Sequence, residues 1–176
     1  QVFFDLGARE YQVLSEDPEK IQLTILKKQD RVIRSNAGAS LVDLGDGVVC
    51  LEFHTKMNAI GGDVVDLARW AVDEVERNFV GLVIGNQGEN FSVGANLMLL
   101  LLVAQEGNRE EIDQMVRAFQ KMTLSFRYSA RPVVAAPFQR VLGGGAELCL
   151  VCDAVVASSE TYMGLVEVGV GLVPAE

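Results

Sequence analysis

The sequence predicts an α/β domain, and three observations carry that prediction. From residue 39 onward short β-type runs alternate with amphipathic helical patterns. The apolar run FVGLVIGN reads as a buried strand, and PVVAAP as a short strand closed by prolines. Glycines stand where strand or loop gives way to helix. Hydrophobic residues make up 49% of the 176, enough for one sizeable core and too many for disorder throughout.

Residues 1–35 mix charges with scattered apolar residues and show no sustained periodicity. They read as an arm or interdomain connector, so the expected division is 1–38 for the arm and 39–176 for the folded domain. ASLVDLGDGVVCLEF is two β-type runs around Gly45-Asp46-Gly47, a hairpin signal. After the loop TKMNAIGG, Val64, Leu67, Ala68, Ala71, Val72 and Val75 recur at helical spacing, predicting a helix over 61–77. Residues 79–86 read as a strand, QGENFSVGAN as a glycine-bearing loop, and 96–105 as an apolar helix. Asn108 and Glu111 resemble a helix N-cap and its return partner. Ile112, Met115, Val116, Phe119, Met122 and Phe126 then mark one face of a second long helix. Residues 132–137 predict a strand, 144–152 a helix opened by three glycines, and 154–158 another strand. No internal sequence repeat is visible. The start without methionine and the unfinished apolar pattern at GLVPAE read as a piece of a longer chain.

Composition narrows the function classes. A net charge of −9 argues against a nucleic-acid groove, which needs clustered Lys and Arg. It leaves room for a local basic pocket, for which Arg127, Arg131 and Lys121 are candidates. QVFFDLGARE lacks the basic start and cleavable apolar core of a secretory signal, and LMLLLLVA (97–104) is too short to span a bilayer. A soluble, cytoplasmic protein is expected, with no membrane partner. Cys149 and Cys152 form C-x-x-C, but in an apolar setting with no second pair, and the single His54 is distant in sequence. Together with Cys50 they read as buried structural thiols, and no metal site is expected.

The chemistry concentrates in GGGAELCLVCDAVVASSETYMGLVEVGVG. Gly143-Gly144-Gly145 precede a helix, whose first turn offers free N–H groups to an oxygen gaining negative charge. A turn chosen for packing alone explains those residues equally well. Gly94 in FSVGAN marks a second helix start, and two such starts aimed at one oxygen would make an oxyanion hole. GLVIGNQG lacks the glycine spacing of a dinucleotide fingerprint. Glu147 falls in the first turn after the glycines, where favourable interaction with the helix end is the plainer explanation. Glu167 lies in YMGLVEVGVG, otherwise without charge, where a glutamate needs a partner or a task. Two carboxylates beside an oxyanion hole fit addition of water next to a carbonyl.

KMNAI (56–60), NFSVGANL (90–97), PVVAAP…LGGGAEL (132–148) and CDAVVASSETYMGLVEVGVGLVPA (152–175) match, in order, the enoyl-CoA hydratase/isomerase (crotonase) family, which residues 39–176 resemble. The resemblance implies a crotonase-like spiral of ββα turns with sheets packed nearly at right angles. It implies an acyl-CoA thioester as substrate, its oxygen held by the Ala95 and Gly144 N–H groups. Glu147 and Glu167 map onto the two family glutamates. The pair favours syn hydration of a trans-2-enoyl-CoA to a 3-hydroxyacyl-CoA, Glu167 exchanging the α-proton and Glu147 holding and activating the water. Lys56, Met57 and Ala59 map onto the coenzyme A surface, with Val93 and Ala95 lower in the channel, and Gly94 and Gly164 are further substrate-binding candidates. Coenzyme A enters as part of the substrate, and no tightly bound cofactor is implied.

The 1–35 arm, ASLVDLGDGVVCLEFHTKMNAIGGDVV and ETYMGLVEVGVGLVPA further resemble the crotonase domain of bacterial fused 3-hydroxyacyl-CoA dehydrogenases of fatty-acid β-oxidation. There a separate domain binds NAD, so NAD binding by this piece is not expected. Asn96 stands where an aspartate is common, and Pro137-Phe138-Gln139-Arg140 replaces the usual Asn-Gly turn. The family's C-terminal helices, which close the acyl pocket and build a trimer or dimer of trimers, are expected beyond Glu176. An enoyl-CoA isomerase and a catalytically silent CoA-binding or oligomerisation fragment are the alternatives.

Overall fold

The computed structural model describes residues 2–13 and 20–175. The first elements lie where none was predicted. β1 (Val2–Asp5) and β2 (Glu10–Val13) form an antiparallel hairpin, with Phe4 and Tyr11 edge-to-face at 5.2 Å between ring centroids. α1 (Leu23–Lys28) follows, then β3 (Val32–Ser35), β4 (Ala39–Gly45) and β5 (Val48–Phe53), each antiparallel to the next. The β4–β5 turn is the predicted one: Gly45, Asp46 and Gly47 all have positive φ (101°, 52° and 76°).

A 3-10 turn at Lys56–Asn58 leads into α2 (Gly62–Asn78), which ends one residue past the predicted 77. β6 (Gly81–Ile84), α3 (Leu97–Gln105) and α4 (Arg109–Arg127) occupy their predicted stretches. Asn108 caps α4, its Oδ1 accepting from Glu111 N at 3.2 Å, while Glu111 Oε2 accepts from Asn108 Nδ2 at 2.8 Å. The return partner therefore pairs with the cap's side chain rather than its main chain. β7 (Val133–Ala135) precedes β8 (Arg140–Leu142), α5 (Gly144–Leu150), β9 (Ala154–Val155) and β10 (Tyr162–Gly164); a 3-10 turn at Glu167–Val170 closes the set.

Six strands form the main sheet in the order β3-β4-β5-β6-β7-β9, parallel from β5 onward. Strand alternation sorts its two faces. Leu41, Val49, Leu51 and Phe53 turn to the main core, where they meet Val64, Leu67, Ala68, Ala71 and Val75 of α2 and Met122 and Phe126 of α4. Val42 and Cys50 turn the other way and pack with Leu23 of α1. Lys27 of α1 also pairs with the mostly buried Glu52 on that face.

These contacts tie the second half of the 1–38 stretch, expected as an arm or interdomain connector, to the sheet. α1 covers one face of the sheet and β3 is its edge strand. Six helical residues are too few to show a period, so the sequence carried no visible signal for the docking.

A second, smaller layer consists of parallel rungs. β8 pairs with β10, Ser92 bridges to Val141, and Ile60 bridges to Ala95. Each turn of chain thus supplies one strand to the large sheet and a short rung to the small layer. This is a spiral built without sequence repetition, because only backbone pairing recurs. Among the described residues no helix is long and apolar enough to cross a membrane.

Candidate active site

The site lies where the rungs meet α5. Gly143 has φ 52° and ψ −126°, a conformation that requires glycine, and it turns the chain from β8 into the helix. Its N–H donates to Gly164 O at 3.0 Å, locking the turn to β10. Gly94, at φ 86°, lies directly against this turn: a Cβ there would stand 2.7 Å from Leu142 O and 3.0 Å from Gly144 N. The two glycine-marked helix starts are therefore in contact.

Several of the amides around them are committed. Gly94 N donates to Ser92 Oγ (3.1 Å), Ile60 N to Gly94 O (2.8 Å), Asn96 N to Ile60 O (3.3 Å), and Ala146 N and Glu147 N to Gly143 O (2.7 and 3.1 Å). Among the described residues the N–H groups of Ala95 and Gly144, like those of their neighbours Val93 and Gly145, donate to no protein acceptor. Gly144 is buried and Ala95 exposed, and an unused donor beside an open site is available to a ligand.

Both glutamates reach the same turn. Glu167 Oε1 lies 2.7 Å from where a Cβ on Gly143 would stand, and Glu147 Oε2 lies 3.6 Å from the corresponding point on Gly144. Glu147 is 4% exposed. Glu167 is half-buried, and its Oε2 is shielded from solvent with no hydrogen-bond donor among the described residues. A desolvated carboxylate oxygen without a donor is costly and is found where a ligand supplies one.

Phe119, expected only on the core face of α4, is half-buried and brings its ring edge to 3.1 Å from the Cβ position of Gly144. The side chain thus forms a wall beside the glutamates.

Lys56 and Ala59 line a pocket of about 290 Å³ with Thr55, Asp63, Asn96 and Leu99, between the 3-10 turn and the start of α3. Met57 is half exposed and has φ 57°, and Val93 is half-buried. Gly164 joins the site through its carbonyl. Lys121, Arg127 and Arg131 are exposed on α4 and the turn after it. All three cysteines are buried free thiols, each pushed from 9.0 up to about 12, chiefly by burial. Asn58 and Ser92, both buried beneath the site, were not singled out by the sequence. Their one signal is a polar residue at an inward position of an apolar loop.

A family model described as enoyl-CoA hydratase/isomerase matches residues 44–176. A Bacillus subtilis (strain 168) protein described as "Probable 3-hydroxyacyl-CoA dehydrogenase" is 52% identical over 172 residues, 98% of this chain and 22% of that protein. The fatty acid oxidation complex subunit alpha of Acinetobacter baumannii (strain AYE) is 29% identical over 136 residues, 74% of this chain and 19% of that subunit. The crystal structure of an enoyl-CoA hydratase from Polaromonas sp. JS666 superposes with a TM-score of 0.74 at 28% identity, covering 77% of this chain and 54% of that one. The chain spans about a fifth of the length of the two curated relatives.

Proposed function

Because the chain belongs to the enoyl-CoA hydratase/isomerase family, we propose that it carries the hydratase site of a longer protein of fatty-acid oxidation. It adds water syn across a trans-2-enoyl-CoA to give a 3-hydroxyacyl-CoA. A 3-hydroxyacyl-CoA dehydrogenase activity, holding its own NAD, resides elsewhere in that protein; the description of the Bacillus subtilis relative supports this part. Coenzyme A enters as the carrier of the substrate, and its thioester is the group the chain recognises.

One observation carries the hydratase reading: two glutamates converge on a turn where the Ala95 and Gly144 N–H groups are among those left unused. In the proposed reaction the thioester oxygen accepts from Ala95 N and Gly144 N. Glu147 holds the water and takes one of its protons as oxygen bonds to C3. The π electrons move onto the thioester oxygen, where the two donors stabilise the enolate. Glu167, protonated at the start, delivers its proton at C2 and the enolate collapses; the proton taken up by Glu147 returns to Glu167 through solvent, so the product contains the substrate plus one water. Lys56, Met57 and Ala59 border the coenzyme A, with Val93, Gly94 and Gly164 along the channel. An enoyl-CoA isomerase would need only one dominant glutamate, so the pair favours hydration.

The test is hydration of crotonyl-CoA by the full-length protein and its Glu147→Gln and Glu167→Gln variants. Each variant is expected to lose about 10²–10⁴-fold in kcat, as removal of a general acid or base does. Normal turnover in both would overturn the assignment. Double-bond migration without hydration would identify an isomerase.

A further inference from the structure

Resting on the hydratase reading, we propose that Ser92 is a positioning residue: its hydroxyl holds the Gly94 N–H, fixing the peptide next to the one that presents the Ala95 N–H, and ties it to the coenzyme A loop. Ser92 is fully buried (0% exposed). Its Oγ donates to Asn58 O at 2.8 Å and accepts from Gly94 N at 3.1 Å. A serine hydroxyl has one proton, and Asn58 O takes it, so a lone pair of Oγ faces the Gly94 N–H and the direction of the relay is fixed. Donating to a carbonyl also makes the oxygen a better acceptor.

Both main-chain groups of Ser92 are anchored on β8: its N–H donates to Arg140 O at 3.2 Å, and its carbonyl accepts from Leu142 N at 2.9 Å. β8 runs straight into Gly143 and Gly144, so the two proposed oxyanion donors share one frame through this residue. The side chain is wedged there. Its Cβ and Oγ lie 2.8 and 3.0 Å from where a Cβ on Gly145 would stand.

At its other end the relay meets the loop assigned to coenzyme A. Asn58 is buried and left-handed (φ 52°), follows the left-handed Met57, and donates from Nδ2 to Asn90 O at 2.8 Å. A shift of residues 56–59 is therefore felt at Gly94 through Asn58 O and Ser92 Oγ. Without the hydroxyl, the buried Gly94 N–H loses its acceptor. The Gly94–Ala95 peptide then keeps the Ile60 N–H on Gly94 O (2.8 Å), but the backbone leading into it is no longer fixed.

The experiment uses the full-length protein with Ser92→Ala. A control, Ser40→Ala, removes another buried serine hydroxyl, on the opposite face of the sheet beside His54. Two readouts are taken: kcat and KM for crotonyl-CoA, and the ¹³C carbonyl resonance of bound [1-¹³C]butyryl-CoA, which is saturated and does not react.

Ser92→Ala is expected to lower kcat about tenfold, part of the loss seen when an oxyanion donor is removed outright. KM should stay within about twofold, since binding of the carrier is untouched. The carbonyl resonance should move back toward its value in free solution, while Ser40→Ala matches the parent in both. An unchanged carbonyl resonance in Ser92→Ala overturns the proposal. A parent that shifts the carbonyl but does not hydrate crotonyl-CoA overturns the hydratase reading alone. If Ser92→Ala does not fold, Ser92→Cys, with its weaker donor, is read in the same way: an intermediate resonance supports the proposal and the parent's value overturns it.

Discussion

At Gly94 a single methyl group would meet the Leu142 carbonyl oxygen at 2.7 Å and the Gly144 nitrogen at 3.0 Å, at a φ of 86° that L side chains rarely adopt. Neither contact can yield, because both belong to main chain locked by rungs. Gly94→Ala is therefore expected to cost about 1–3 kcal/mol of stability from backbone strain alone. It should also lower hydration by about 10²-fold or more by parting the two donors. Gly62→Ala, at a helix position where a Cβ meets nothing within 4 Å, should instead raise stability by about 0.4–1 kcal/mol. Urea denaturation and a crotonyl-CoA assay on the three proteins check this. The position of Gly94 before a helix was legible in the sequence. Its contact with a second glycine nearly 50 positions later was not, because closeness of two backbones leaves no side-chain pattern. Ser92 was hidden for a related reason: in FSVGAN it is one small residue among several, and only its partners give it a task.

At the scale of elements, α1 shows how a short helix is held by what it docks on. It is six residues long, too short to persist alone in water. Leu23 is 4% exposed in the second core, and Gln87 grips the helix start, Oε1 accepting from Leu23 N at 2.8 Å and Nε2 donating to Ile21 O at 2.9 Å. Leu23→Ala is expected to cost about 2 kcal/mol, at the low end for a buried leucine because the cluster is small. Amide exchange over residues 23–28 should rise while α2 stays protected; equal protection in both would mean that α1 is held by something else. The elements foreseen correctly, α2 and α4, have long apolar stripes. β8 and β10 went unforeseen because RVL and YMG are three residues each, below the length at which alternation can be seen.

For the whole molecule, the pattern of burial fixes a response to alkali. The Cys50, Cys149 and Cys152 thiols are each raised to about 12, by burial first; Glu52 adds to the effect at Cys50, and Cys149 and Asp153 at Cys152. In the unfolded chain they ionise near 9.0, so above that pH the unfolded state gives up protons that the folded state keeps. Their contribution to stability is complete below about pH 9 and is lost as pH rises toward about 12. Urea midpoints are expected to fall from pH 8 to pH 10, and to fall less in a triple Cys→Ala variant compared with its own value at pH 8. A disulfide reagent at pH 8 should titrate the thiols only after denaturation.

The rung between β10 and β8 pairs Tyr162 with Arg140, Met163 with Val141 and Gly164 with Leu142. It works as a length gauge. Val156 N and Ser158 N still donate to Ala135 O and Pro137 O (2.8 and 2.9 Å), but the exposed Ser159 and Glu160 lie outside any strand, so slack between Glu147 and the rung is taken up there. The two residues between Gly164 and Glu167 are not free, since they alone set where the second carboxylate lands. Insertions near Ser159 should be absorbed as a larger loop, whereas adding or deleting one residue at 165–166 would leave a folded protein with its second acid out of place. The sequence is thus elastic on one side of a three-residue strand and rigid on the other.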